Sequence, residues 1–389
     1  MDPVVILWLI LMVYIVAYIV ARAIGLERLG ERGLDANTPL AILIRTQRLN
    51  SVLTRVGKRM PQWVFNVGII IGFVGMVGGF YLFLDNLVKF FILPEEAGGV
   101  VPIIPGVTVT GLPVIYIIIG LAITLLTHEF AHGLALSRDD IPIKSSGILF
   151  FFVFFGGFVE PDDEVFEQKA SRRARMRVLA AGSFSNMVWA FVFFLLLSNY
   201  AGLMSIGFNP PNGAYVYQIS PGSPAENALQ VGDVIVALNG TEIDTWAELS
   251  VFMNSTRPNT LLNIATLRGN FSIVLSQATA NSTRGYIGIY GADYWEPKQG
   301  WEWIPGGAMY AFHVQQVLVW TFIILFSVAL FNLLPIPALD GDKLLSNGLG
   351  LITDNDRLVK MIMNPIRLFA LLIVVLSIVL TFMTGKSLF

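Results

Sequence analysis

The chain has 389 residues, of which 55% are hydrophobic and only 13% charged, with a mean hydropathy of +0.68. A soluble domain carries roughly 25% charged residues, so this balance points to a chain that crosses a membrane several times. A formal net charge of −2 with no long basic block gives no support to a nucleic-acid partner, and the absence of cysteine excludes disulfides and thiolate metal sites, leaving His, Asp and Glu as metal ligands.

Six apolar stretches are long enough to cross a hydrocarbon core of about 30 Å, which takes roughly 20 helical residues. They lie near 3–21, 63–92, 112–137, 178–204, 308–334 and 364–384. The first follows Asp2 rather than a basic segment, so it reads as a retained span despite the signal-like "ARA" at 21–23. Asp85 and Lys89 interrupt the second, which predicts a helix that tilts or ends early. Loop charges orient the spans. Arg22, Arg28, Arg32, Arg45, Arg48, Arg55, Lys58 and Arg59 fill the 22–62 loop, "KASRRARMR" ends the 138–177 loop, and 94–111 has no Lys or Arg. This places 22–62 and 138–177 in the cytosol, and 94–111, 205–305 and both termini outside. "RRARMR" is thereby accounted for as a topology anchor.

The third stretch ends in "LLTHEFAH", which uses two of the three histidines. Positions i and i+4 share one face of a helix, so His128 and His132 can hold one zinc while Glu129 acts on a zinc-bound water. The alternative is a pair of histidines snorkelling near a membrane end, although ionisable groups in a span are costly and usually functional. A catalytic zinc needs a third protein ligand. Ala135 and Arg138 stand where an extended motif would carry Gly and His. His313 belongs to the outer end of span five, whereas Pro113 to His132 is about 28 Å of helix, nearly the hydrocarbon thickness. "FNLLPIPALDGDK" (331–343) breaks span five with Pro335 and Pro337 and brings Asp340 to the inner level of the two histidines. Asp340 is the expected third ligand; a simple turn at "LDG" and ligation by Asp342 are the alternatives.

"SSGILFFFVFFGGFVEP" (145–161) is too short for a span. It reads as a membrane-embedded strand or hairpin whose edge takes an unwound substrate by strand addition, with Gly156 and Gly157 in contact with it. The alternative is an interfacial or re-entrant anchor. Between 205 and 305 the pattern changes to short alternating runs separated by turns such as "NG" (239–240) and "RGN" (268–270), as in a soluble domain. Its Asn-x-Ser/Thr triplets at Asn239, Asn254, Asn270 and Asn281 mark the outer side if glycosylated, and also arise by chance in such a composition.

"HEFAH" and "NLLPIPALDG" resemble the two motifs of the site-2 protease family of intramembrane zinc proteases. The resemblance, from about 112 to 340, implies one zinc per chain held by His128, His132 and Asp340, with Glu129 as general base and acid. Asp342 and Lys343 stand where the family often has Gly and then His or Arg. "AAGSFSN" (180–186) is similar to the family's Ala-Gly-Pro…Asn pattern with Ser183 in place of Pro, and "GGFVEPDDE" (156–164) to the stretch after the metal helix. Substrate contacts are implied for Asn332, with capping of the helix end as the alternative, and for Asn186, with helix packing as the alternative. "SPGSPAENALQVGDVIVALNGTEI" (220–243) resembles the PDZ module of many members, with "VIVALN" as a strand and "TWAELSVFMN" as the groove helix. "GYIGI" then supplies Gly285, Tyr286, Ile287 and Gly288 as a loop for a peptide C-terminus, unless the module is only a steric shield.

The expected architecture is a polytopic α-helical membrane protein with an inserted extracytoplasmic α+β PDZ-like domain and a membrane-associated β segment. Its regions are an N-terminal two-helix membrane region with a basic loop (1–111), a first part of the catalytic core (112–204), the PDZ-like domain (205–305) and a second part of the core (306–389). The expected function is zinc-dependent endoproteolysis of transmembrane segments of membrane-tethered substrates in the cell membrane, with the zinc near the cytosolic side. A zinc transporter would spread polar residues along spans one, two and six, which have almost none. An inactive scaffold would have lost Glu129 or a ligand, and a metalloprotease of the prenyl-processing kind needs a downstream Glu ligand.

Overall fold

The computed structural model describes residues 3–31, 33–38, 41–104, 108–109, 111–151, 154–277, 283–304 and 308–386. The triplet at Asn281 lies outside the described residues. The chain forms two compact units, Met1–Phe194 with Val319–Phe389, and Leu195–Leu318. In order, the first unit opens with α1 (Pro3–Ile24), α2 (Leu26–Glu31), β1 (Leu34–Thr38), β2 (Ala41–Arg45), α3 (Gln47–Arg59), α4 (Gln62–Ile92), α5 (Pro113–Arg138), β3 (Ile143–Phe151), β4 (Phe154–Pro161) and α6 (Arg172–Ser198). There follow α7 (Tyr200–Met204), β5 (Ala214–Ile219), β6 (Val234–Leu238), β7 (Thr241–Glu242), α8 (Trp246–Asn254), β8 (Leu261–Thr266), β9 (Gly269–Val274), β10 (Ser276–Gln277), β11 (Gly285–Tyr286) and β12 (Ile289–Asp293). The chain closes with α9 (Ala308–Asn332), α10 (Asp340–Leu349) and α11 (Asp356–Thr384).

Among the described residues five helices are long and apolar enough to cross a membrane: α4, α5, α6, α9 from Met309, and α11. The first of the six expected spans lies in α1 (Pro3–Ile24), whose described apolar part covers Leu11–Ile24. The second does not end early. Asp85 and Lys89, one helical turn apart, pair at 2.8 Å and so satisfy each other within α4. The fourth stops at Ser198, short of the expected 204, and α7 follows as a separate short helix. The last begins eight residues before the expected 364, at Asp356, because the Asn355 side chain caps it by accepting from the Arg357 and Leu358 N–H groups at 3.1 and 3.2 Å.

The basic 22–62 segment is not an irregular loop. It supplies β1, β2 and α3, and its strands extend the 143–161 hairpin into an antiparallel sheet of order β1-β2-β3-β4. β2 runs along β3 from Ala41 opposite Phe151 to Arg45 opposite Gly147. At the polar end Arg45 donates to Glu160 at 2.9 Å and to Asp35 at 3.3 Å, and Lys144 donates to Glu160 at 3.0 Å. These charges tie the first hairpin to the second. α3 folds back on the C-terminal half of α5, with Leu53 seated against Gly133.

Behind α5 the first unit packs α4, α6, the end of α9 and α10 around Met76, Leu179, Ala180, Leu333 and Leu344. Gly68, Gly72, Gly75 and Gly79 form a stripe along α4 that meets Phe184, Ala180, Met187 and Leu330. Small residues at such spacing let membrane helices approach closely, where tight packing replaces the missing hydrophobic drive.

The second unit holds a sheet of order β12-β5-β6-β8-β9, with β7 on β6, and a separate β10-β11 pair. Val216, Ile235, Leu238, Leu249, Leu262, Ile264 and Ile273 form its core. The expected "VIVALN" strand is β6, and the "NG" turn after it has Asn239 and Gly240 at φ of +49° and +82°, as a tight hairpin requires. The expected groove helix is α8, capped by Thr245, whose hydroxyl accepts from the Glu248 N–H at 3.1 Å. Arg268 donates to Asp233 at 2.7 and 2.8 Å and holds that buried carboxyl below its ordinary range, against the opposing effect of burial.

Candidate metal centre

α5 places His128 and His132 one turn apart on one face, and their rings lie edge to face with centroids 4.7 Å apart. Asp340 comes from the far side of the sequence. α9 stops at Asn332, and the following prolines cannot donate to a continuing helix. The chain turns instead, with the Ile336 N–H bonded to Leu334 C=O at 2.8 Å and the Leu339 N–H to Ile336 C=O at 3.1 Å. Ala338 takes a left-handed φ of +78°, which costs a side-chain-bearing residue about 1 kcal/mol. α10 then starts at Asp340 itself. Gly341 is required by close approach: a Cβ there would lie 2.0 Å from the Leu333 carbonyl oxygen.

The Asp340 Oδ2 is 3.2 Å from His128 Nε2 and 3.4 Å from His132 Nε2, and one ligand atom from each residue lies within 4.8 Å of the others. Tetrahedral zinc with bonds of about 2.0–2.1 Å sets its ligands roughly 3.3 Å apart. The outer nitrogens fix what faces inward. His132 Nδ1 donates to Val178 C=O at 2.7 Å, so Nε2 is the nitrogen turned toward the carboxylate. Two ring nitrogens and a carboxylate converging on one point are met by a cation, either a proton shared in a His–Asp pair or a metal ion. Gly182 keeps that point clear, because a Cβ there would lie 2.5 Å from His128 Nε2 and 2.6 Å from His132 Nε2. Two imidazoles and a carboxylate fit zinc and leave its fourth position open.

Asn186 is fully buried behind His128, its amide 3.1 Å from Nδ1 and 3.1 Å from Thr127 Oγ1. The amide oxygen Oδ1 accepts from the Thr127 hydroxyl, and the amide nitrogen faces the His128 ring. The amide anchors the His128 ring from behind through Nδ1 and leaves Nε2 on the inward side, toward Asp340. Asn332 reaches the other face, its amide nitrogen 3.5 Å from His128 Nε2.

Glu129 leaves α5 on the side of β4, where its Oε2 accepts from the Val159 N–H at 3.2 Å. Gly156 and Gly157 let β4 lie directly on α5, against Leu125 and against Leu126 and Glu129 respectively. Two sequence candidates stand elsewhere. Asp342 is taken by Arg367, which donates to it at 2.5 and 2.8 Å, and His313 belongs to no metal-ligand group among the described residues. In the second unit, Gly285 and Tyr286 form β11, while Ile287 and Gly288 turn toward β12. Their carbonyls accept from the Ala225 and Ser220 N–H groups at 3.0 and 2.8 Å, which braces the loop from behind. Gly182 and Thr127 were not singled out by sequence; the small "AAG" run was the only signal for the first.

An uncharacterised protein of Methanocaldococcus jannaschii is 28% identical over 352 residues, covering 87% of this chain and 83% of that one. The membrane-bound transcription factor site-2 protease homologue of Arabidopsis thaliana is 24% identical over 228 residues, covering 56% of this chain. The match covers 44% of the plant protein, so this chain spans under half of its length. The PDZ domain of an SdrC-like protein from Listeria monocytogenes is 25% identical over 21% of this chain and 87% of its own, with a TM-score of 0.19. The family model for peptidase family M50 matches residues 116–375, which begins on the metal helix and runs through Asp340 into α11. That match takes in two-thirds of the sequence and every residue of the candidate metal centre, and the chain therefore belongs to the M50, or site-2 protease, family of peptidases.

Proposed function

We propose that the chain is a zinc-dependent endopeptidase that cuts peptide bonds inside transmembrane segments of membrane-tethered proteins, as in regulated intramembrane proteolysis. The observation that carries this reading is the convergence of His128, His132 and Asp340 beside a glutamate held on a strand edge. One zinc per chain would be held by those three residues, and when bound it supplies Lewis acidity and a water of lowered pKa. Glu129 then serves as base and acid. Val159 occupies one carboxylate oxygen, and the other takes a proton from the attacking water and passes it to the leaving amine. Asn332 is the amide donor for the substrate carbonyl as negative charge develops on it. Asn186 acts behind His128 as the amide that fixes the ring's orientation through Nδ1, rather than as a substrate contact.

A helical substrate must unwind to expose its carbonyls, and β4 ends the sheet order. The Ser146 carbonyl bonds Thr46 on the side of β2, and the Val159 N–H bonds Glu129, so this opposed pair does not exchange bonds. Alternation then turns Phe155 and Gly157 toward the open edge, in line with Glu129. Strand addition there sets a substrate carbonyl beside the metal centre. Phe155→Pro removes an edge donor without touching the β3 ladder, because proline is tolerated at an edge. It is expected to raise KM several-fold, while Phe155→Ala changes it little. An unchanged KM in the proline variant would remove the strand-addition reading.

The proposed topology has six spans, both termini and the PDZ-like unit outside and the zinc near the cytosolic face, following the loop charges. The regions are those expected from the sequence, a membrane core split by the PDZ-like unit, which takes a peptide C-terminus or screens bulky substrates. The decisive test uses liposomes holding a single-span substrate. Cleavage should map within the apolar segment, stop on chelation and return with zinc. Cleavage that survives full metal removal would refute the assignment.

A further inference from the structure

Away from the metal centre, a cavity of about 220 Å³ opens between α6, α10 and α11. Arg172 and Arg175 of α6, Lys343 of α10 and Arg367 of α11 line it, against the two carboxylates of Glu167 and Asp342, so the wall carries two surplus positive charges. Asp342 is spent on Arg367, which it accepts from at 2.5 and 2.8 Å. Glu167 is shared, 3.8 Å from Arg175 and 3.7 Å from Lys343. Both distances are long beside the roughly 2.7–2.9 Å of a charge-assisted bond. Arg172 reaches Asp354 at 3.4 Å, but that carboxylate is 99% exposed, where an ion pair is worth little. The Arg175 Nε is buried with no hydrogen-bond partner. Three of the four cations thus lack a counter-ion at full strength.

Depth identifies what supplies one. In α6 the charged run ends at Arg177 and the apolar run starts at Val178; in α11 Arg367 is the last charge before the apolar stretch. The cavity therefore sits where both helices become apolar, the level at which lipid headgroups meet the hydrocarbon. Leu179 faces it from the apolar side.

We infer that this cavity binds the phosphate of an anionic lipid headgroup. Arginine forks match phosphate oxygens in pairs, and the surplus charge favours a headgroup with no cation of its own. A zwitterionic headgroup brings its own ammonium into a wall that is already positive. The inference rests on these residues alone and stands apart from the protease reading.

The full chain in neutral detergent can be titrated with phosphatidylglycerol, phosphatidylcholine and inorganic phosphate, with binding read by native mass spectrometry and by the rise in unfolding temperature. Phosphatidylglycerol should bind and raise the unfolding temperature, whereas phosphatidylcholine should do neither. Arg175→Gln and Lys343→Gln should each weaken phosphatidylglycerol about fivefold, the effect of one cation at a membrane surface. Glu167→Gln should strengthen it, a gain that misfolding cannot imitate. Equal binding of phosphatidylglycerol by all four proteins would overturn the site. Inorganic phosphate binding as tightly as the lipid would overturn the lipid assignment in favour of a soluble phosphate.

Discussion

Glu129→Gln is expected to keep one zinc per chain and to lower cleavage of a single-span substrate by about 10²–10⁴-fold, the usual worth of general acid–base catalysis. The substitution is close to isosteric. The amide oxygen can still accept from the Val159 N–H, which the carboxylate meets at 3.2 Å, so β4 should stay on α5. What is lost is the capacity to take up a proton from water and deliver it to the leaving nitrogen. His128, His132 and Asp340 keep their mutual distances, because none of them bonds Glu129 among the described residues. Turnover, zinc content and substrate capture should therefore separate: turnover falls, the other two hold. Glu129→Asp should recover little, since a shortened side chain withdraws the carboxylate from the β4 edge. Wild-type turnover by the Gln variant would sink the assigned role of Glu129.

The parts of this site legible in the sequence are those fixed by period and depth. His128 and His132 follow from i, i+4 spacing, and Asp340 from the level at which Pro335 and Pro337 break α9. Both are local rules combined with a membrane of known thickness. The sheet was only half legible. Gly147 to Gly157 signals a hairpin by its apolar run and its Gly pair, but β2 is five residues, Ala41–Arg45, in a segment read by its charges alone. Such a strand has no independent stability; it exists because β3 offers an edge and because Arg45 reaches Glu160, 115 residues on. Asn186 was visible as a polar residue in a span, but not its target. That depends on which face of α6 meets α5, which no single helix encodes. Of the tilt or early end expected for α4, the early end does not occur, because Asp85 and Lys89 neutralise each other at i, i+4.

Gly182→Ala should cost the chain its zinc. The added Cβ would stand 2.5 Å from His128 Nε2, 2.6 Å from His128 Cε1 and 2.6 Å from His132 Nε2, well inside van der Waals contact. Neither ring can retreat cheaply. His132 is pinned through Nδ1 to Val178 and His128 through Nδ1 to Asn186, and both partners lie on α6, the helix that carries the new methyl. Relief requires α5 and α6 to part, which breaks both outer contacts, or the rings to swing, which turns Nε2 away from Asp340. Outer-sphere changes commonly weaken metal binding about 10–100-fold, and a methyl inside the ligand cluster should reach at least the upper end. Turnover should fall with metal content and recover in part in excess zinc, which separates lost affinity from lost fold. Gly78→Ala is the matched control, since nothing lies within 4 Å of a Cβ there, and it should leave zinc and turnover unchanged. A Gly182→Ala chain that holds one zinc at wild-type affinity would show that the metal does not sit between the two imidazoles and Asp340. The ligand set would then have to be sought elsewhere, even with Glu129 still essential.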